Sequence, residues 1–511
     1  MRIWSDLRSA TELRRWLGRV DPVPPVVGAV ALIVFTQHGF DGYLSRDLAI
    51  YSYGGQQVAN GVPPYLGILN RAGPLAHLIP AIGVVGARIG GFDELLGMRL
   101  LFLIIAVACV CLVYLLGRDL FASRLAGLAA AAAFLTFSGF IEYASNGPRE
   151  KTAMVLFLLC TLVAVTKQRW VAAGLSLSLA TLVLQLAFPV GLAAMLVALV
   201  GVRPGERIRA LIRFAVGGLV PTSICVLYFV AAGALEESID AFLLINARYS
   251  LAVPLTSDLT GNWSALQNGY GASLWVMVVG LAVLLILSLP ALRRENRRRD
   301  PAVVAVSAVG AAGIVALGWT FRDFDDWPDA FLVLPMAAIG IGGITKVVTE
   351  RLAPRVALSV TLIWVAAAMT AAVSFSVTDR DHRLTSQRRS VAVMLEQLPS
   401  DSTFLSINSP QALVLSGKTN PTRHQTFTSG MDRYLDDIYP GGLRGFGERI
   451  GLEEPTMITL KGEVRPWFAE TLESEYRRVG SAPGWVWYAH RSLGPDVLSA
   501  MQSHRAHRKS R

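Results

Sequence analysis

Charge is what this sequence has least of. Asp, Glu, Lys and Arg make up 16% of its 511 residues, against 53% hydrophobic residues and a mean hydropathy of +0.47. A soluble chain carries about a quarter charged residues, so the balance excludes an ordinary soluble multi-domain protein and indicates an integral membrane protein. Acid is scarcer than base, 37 residues against 47, for a formal charge of +10. That excess does not point to nucleic acid. The Lys and Arg residues fall in short segments between apolar runs, among them RRENRRRD at Arg293 to Asp300, the pattern of cytoplasmic loops. Cysteine is scarce too. All four (Cys109, Cys111, Cys160 and Cys225) lie inside apolar runs, which excludes a disulfide framework and a zinc site. There is no internal repeat and no low-complexity tract. The opening segment MRIWSDLRSATELRRWLGRVDP is charged and amphipathic and is followed by no small-residue cleavage site; residues 1–20 read as a retained cytosolic helix.

What is abundant is apolar sequence of membrane-spanning length. Runs cover Pro22 to Thr36, Leu95 to Leu116, Leu125 to Phe140, Thr152 to Thr166, Val171 to Leu184, Phe188 to Val202, Phe214 to Ala232, Leu274 to Leu292, Ala302 to Leu317, Ala330 to Ile344 and Val356 to Phe375. That is about eleven transmembrane helices. With the basic N-terminus inside, alternation places Gly117 to Arg124, Thr166 to Trp170, Arg203 to Arg213, RRENRRRD and Lys346 to Arg355 in the cytoplasm, as the positive-inside rule requires. The outer side receives Gly39 to about Glu94, the turn EYASNGPRE (Glu142 to Glu150), Gly233 to Ser273 and the acidic turn FRDFDDWPD (Phe321 to Asp329). The fork in this reading is Val171 to Val202, where Gln185 and Pro189 either separate two spans or kink one. Two spans are expected, because one would invert every later loop. Pro74 to Ile89, broken by Pro80 and glycines, reads as a helix lying in the interface.

From Ser376 the composition turns charged and aromatic. Thr403 to Ile407, Thr456 to Leu460 and WVWYAH (Trp485 to His490) read as strands; SQRRSVAVMLEQL, PGGLRGFGERIGL and RPWFAETLESEYRRV read as helices. The expectation is therefore a transmembrane domain over residues 21–376, an outward-facing α/β domain over 377–498 and a basic disordered tail over 499–511.

The candidate for chemistry lies in the first outer loop, SRDLAIYSYGGQQVANGVPPY, from Ser45 to Tyr65. It is longer and more polar than a connection between two helices needs to be. A carboxylate such as Asp47 at the membrane surface can accept a proton from a sugar hydroxyl and so make that oxygen nucleophilic; the plain alternative is a solvated aspartate paired with Arg46. The DFDD cluster, Asp323 to Asp326, has the carboxylates that suit a hard cation. The Asn262-Trp263-Ser264 sequon is of a kind expected by chance. His38 and His77 are isolated.

An acidic residue in the first outer loop, Tyr51 four residues on, a Gly-x-Pro-Tyr turn, a Pro-Leu-initiated interfacial helix, then an Arg-led span ending YLLGRDLF-x-SR-x-AG together resemble the GT-C class of membrane glycosyltransferases. The class includes protein O-mannosyltransferases and lipid A aminoarabinose transferases, and the likeness is greatest to actinobacterial proteins described as dolichyl-phosphate-mannose-type mannosyltransferases. It covers Phe40 to about Glu150 well and FRDFDDWPDAFLVLP moderately. The resemblance implies a catalytic aspartate at Asp47, with Asp41 as its competitor, and a second acidic position at Glu150, ahead of Glu142. The family's Lys-Pro-Pro is here Arg71, Ala72, Gly73, Pro74, so its lysine role passes to Arg71. Where the family's later turn often carries histidine and tyrosines, this chain has Asp323, Asp326, Trp327 and Asp329.

Transfer from a polyprenyl phosphate needs a base for the acceptor and cations for the departing phosphate. Arg46, Arg149, Lys151, Arg248 and Arg322 are the cations near the outer loops, and arginine's fixed donor fork suits phosphate. The class works mostly without metal, so no metal or cofactor is expected. The expected partners are a polyprenyl-phosphate sugar donor, a glycan, glycolipid or protein acceptor, and the lipid bilayer, with mannose the expected sugar. Two other classes compete. A transporter or flippase would place ionisable residues near mid-bilayer and show repeat symmetry, whereas here charges sit at span ends. A non-catalytic scaffold would have an inert first loop.

Overall fold

A computed structural model describes residues 21–250, 252–292 and 301–506. The N-terminal helix expected over residues 1–20 and the RRENRRRD loop lie outside the described residues. Each apolar run is realised as helix: α1 (Val23–Gln37), then α2 (Arg46–Ala59) and α3 (Leu75–Gly90) in the first long loop, then α4 (Glu94–Phe121), α5 (Arg124–Leu135), α6 (Ser138–Asn146), α7 (Glu150–Thr166), α8 (Trp170–Val183), α9 (Ala187–Val200), α10 (Arg207–Ala231), α11 (Leu259–Tyr270), α12 (Ser273–Ser288), α13 (Pro301–Arg322), α14 (Leu334–Thr349) and α15 (Pro354–Thr378). Among the described residues four helices are long and apolar enough to cross a membrane, and two bent pairs, α5 with α6 at 73° and α11 with α12 at 104°, bring that number to six. Five shorter apolar helices, α1, α3, α8, α9 and α14, accompany them. The chain is a multi-pass membrane protein.

The fork near Gln185 resolves as two helices. Leu184 is extended between α8 and α9, and the Gln185 side chain donates to the carbonyls of Arg71 and Phe242 at 2.9 Å each, so the break is held by a polar side chain turned toward the first long loop. Helix α3 ends where Gly91 takes the left-handed conformation, open to glycine without the steric cost of a Cβ.

After α15 comes an α/β domain. Helix α16 (Arg383–Glu396) precedes β1 (Phe404–Ile407), followed by α17 (Gln411–Ser416), α18 (Met431–Ile438), α19 (Gly442–Glu453), β2 (Met457–Leu460), α20 (Pro466–Glu475), β3 (Tyr476–Ala482), β4 (Trp485–His490) and α21 (Pro495–Ala506). The sheet order is β1-β2-β4-β3, with β1 parallel to β2 and the other pairs antiparallel. Two sequence expectations shift here. The helix read through EYRRV stops at Glu475, because Tyr476 to Ala482 pairs with β4 across the Pro483-Gly484 turn. Helix α21 runs through Ala506, so the basic tail does not begin at residue 499. The domain sits on the face that carries α2. Leu44, Leu48, Ala49 and Tyr53 share one buried cluster with Leu384, Val391, Phe404, Leu413 and Trp487.

Candidate active site

The site begins with how α2 starts. Ser45 is extended and its hydroxyl accepts from the Leu48 amide at 3.3 Å, an N-cap. Arg46 and Asp47 are therefore the first two residues of the helix, where a carboxylate is favoured by the helix dipole. Tyr51, one turn on, is buried on the same side.

Opposite stands the turn before α7. Arg149 is its extended N-cap residue and Glu150 its first helical residue; they are 5% and 4% exposed. Arg149 Nη1 donates to Asp47 Oδ2 at 2.8 Å, and Arg149 Nε lies 3.5 Å from Glu150 Oε2. Arg46 Nε donates to the other Asp47 oxygen at 3.2 Å. One buried guanidinium thus joins the two carboxylates, while the Asp47 side chain stays 39% exposed. Burial would raise the Asp47 pKa, but Arg149 and then Arg46 outweigh it and hold the carboxyl well below the usual range. Burial would likewise discharge Arg149; Glu150 and Asp47 reverse that and keep it charged.

An aromatic pile extends this cluster. The Arg149 guanidinium lies 5.5 Å from the Tyr143 ring centroid, and Tyr143 stacks on Trp327 at 5.1 Å and 12°. The acidic turn is tied in by charge. Lys151 pairs with Asp329, whose other oxygen accepts from the Asp325 amide at 2.7 Å. Arg71 reaches Asp325 at 3.8 Å and hydrogen-bonds Ser250. The structure therefore gathers Arg46, Asp47, Tyr51, Arg149, Glu150 and Trp327, with Lys151 and Arg71 in neighbouring ion pairs.

Four other candidates lie elsewhere. Asp41 is exposed at a small cavity of about 190 Å³ that it lines with Asp93, Arg99 and Arg388, and it has no hydrogen bond or ion pair with Arg46, Arg149 or Glu150 among the described residues. Arg248 is exposed, with no side-chain hydrogen bond or ion pair among them. Arg322 covers the Trp319 ring, and Asp323 accepts from the Val253 amide at 3.2 Å. Among the described residues no group of three His, Cys, Asp or Glu side chains is placed to hold a metal.

Sequence reasoning missed part of the surroundings. Thr428, in the C-terminal domain, accepts from Arg46 Nη1 at 3.2 Å. Lys461 follows β2 and lies within Coulombic reach of Arg46 and Asp47. No local signal marks either. Glu142 lies in α6, next to Tyr143.

A family model described as dolichyl-phosphate-mannose-protein mannosyltransferase matches residues 74–229. The crystal structure of ArnT from Cupriavidus metallidurans bound to undecaprenyl phosphate superposes with a TM-score of 0.64 at 14% identity, over 95% of this chain and 100% of that one. The fold is GT-C. The apo structure of the same ArnT agrees, at TM-score 0.63 and 15% identity over the same shares of both chains. No curated protein matches the chain. The GT-C likeness takes in the C-terminal domain as well as the spans, since the superposition covers nearly the whole chain.

Proposed function

We propose that the chain is an inverting glycosyltransferase. It moves a sugar, mannose in the first instance, from a polyprenyl monophosphate to a cell-envelope glycan, glycolipid or protein on the outer face of the cytoplasmic membrane. The observation that carries the reading is the buried Arg149 joining Asp47 and Glu150 beneath the C-terminal domain. The matching family model and the fold shared with ArnT support a lipid-phosphate donor.

In this reading the acceptor oxygen attacks the anomeric carbon, the bond to phosphate breaks, and the polyprenyl phosphate leaves carrying the electron pair. Asp47 takes the acceptor proton. A carboxylate clamped by two guanidiniums is a weak base. The donor phosphate competes for Arg46 and Arg149 by the same fork geometry, and its arrival loosens the clamp and raises the basicity of Asp47. Glu150 holds Arg149 in place meanwhile. Lys151 and Arg71 stand by to meet the departing charge.

The test is turnover of purified protein with a panel of polyprenyl-phosphate sugars. Asp47→Asn keeps the size and most hydrogen bonding while removing proton acceptance, so turnover falls by about 10² to 10⁴ and donor binding stays. Asp41→Asn does much less. Loss in Asp41→Asn with Asp47→Asn near normal moves the base to Asp41; indifference to both overturns the enzyme reading.

A further inference from the structure

The five residues before the N-cap of α2 form no helix or strand, yet seven of their ten backbone polar groups are hydrogen-bonded. Arg99, 1% exposed, donates to the carbonyls of Phe40 and, at 2.9 Å, Gly42. The Asp41 carbonyl accepts from the Leu384 amide at 3.2 Å. The Gly42 amide donates to Asn146 Oδ1 at 3.0 Å and the Tyr43 amide to Asp381 Oδ2 at 3.1 Å. Gln387, fully buried, then pairs with Leu44 as a neighbouring strand would: its Oε1 accepts from the Leu44 amide and its Nε2 donates to the Leu44 carbonyl, both at 3.0 Å. The same Nε2 donates to the Pro483 carbonyl at 2.9 Å, in the turn between β3 and β4.

We infer that Gln387 of the C-terminal domain is a positioning residue for Asp47, and that the domain is thereby part of the catalytic apparatus. The inference rests on the Asp47 reading above. Leu44 is three residues from Asp47, and the helix between them starts at once, so the place of the Leu44 backbone sets the place of the carboxylate. Misplacing a reacting group by about 1 Å costs roughly 10²-fold in rate. Asp381, Leu384, Gln387 and Pro483 all belong to the C-terminal domain or its approach, so the loop is gripped from outside the spans as firmly as from within.

The experiment is a double-mutant cycle in the full-length chain with a turned-over polyprenyl-phosphate sugar. Gln387→Met keeps the bulk and removes the three hydrogen bonds. The expected result is a fall in kcat of roughly 10- to 100-fold with donor KM within about twofold. Asp47→Asn combined with Gln387→Met should be no slower than Asp47→Asn by more than about twofold, because a misplaced base and a missing base cost the same rate once. A purely structural role lowers the active fraction whatever stands at residue 47, so losses that multiply overturn the inference, as does a normal kcat in Gln387→Met. If Gln387→Met yields no folded protein, Asn146→Ala, which frees only the Gly42 amide, should still lower kcat several-fold with donor KM held, and an unchanged kcat overturns the inference. A native chain that turns over no donor overturns the function proposed above and this inference with it; a working native chain with an indifferent Gln387 overturns this inference alone.

Discussion

Removing the Arg149 guanidinium is the most demanding test of the cluster. Arg149→Met leaves an apolar chain of similar length between Asp47 and Glu150. At 2.8 Å and 3.5 Å the two Coulomb terms are each about 5 to 6 kcal/mol with an effective dielectric near 20, and desolvation of the buried guanidinium offsets much of that. Mutations that strip one partner from a buried pair cost about 3–5 kcal/mol, because the remaining charge keeps its desolvation penalty. Glu150, 4% exposed, bears most of it, while Asp47 keeps Arg46 and its open side. The expected loss is thus about 3–5 kcal/mol in the detergent-solubilised protein, read from equilibrium denaturation followed by tryptophan fluorescence. Adding Glu150→Gln removes the stranded charge and should recover about 2 kcal/mol or more, whereas adding Asp47→Asn recovers less than 1 kcal/mol, the usual scale of an exposed pair. Native-like stability in Arg149→Met, or equal rescue by the two second mutations, would refute the claim that one buried arginine serves two unequal carboxylates.

Orientation is tested at Thr419, exposed in the turn after α17: Thr419→Cys in intact cells should react with an impermeant maleimide, and labelling only after lysis would place the Asp47 face inside. Turnover should survive EDTA, with arginines meeting the phosphate; loss restored by Mg²⁺ would assign the Asp323 to Asp326 turn a cation.

The spans were legible because each is a long apolar run whose identity needs no tertiary information. Gln185 was legible as an interruption, though its part in holding Arg71 and Phe242 was not. Asp47, Arg149 and Glu150 could be named as separate candidates from loop position and family resemblance; that one arginine joins the two carboxylates depends on packing between segments 102 residues apart. Strand β3 was misread because Glu473 to Val479 carries charges at helical spacing, and only its pairing with β4 decides otherwise. Thr428, Lys461 and Gln387 were invisible, since nothing local in a soluble-looking domain reveals which of its polar residues face a membrane loop.

The bond between Leu44 and Gln387 spans 343 residues of chain, and this sets an order of events during synthesis. When the first loop emerges, the partners of the Tyr43 and Leu44 amides have yet to be made. Asp47 and Arg149 can meet once α7 is in place, but the strap that precedes α2 closes only after residues 381–387 and the hairpin turn at Pro483 have been made and folded. A chain interrupted anywhere before that turn is a set of spans whose first loop lacks its later partners, so the seating of Asp47 is completed as the last act of assembly.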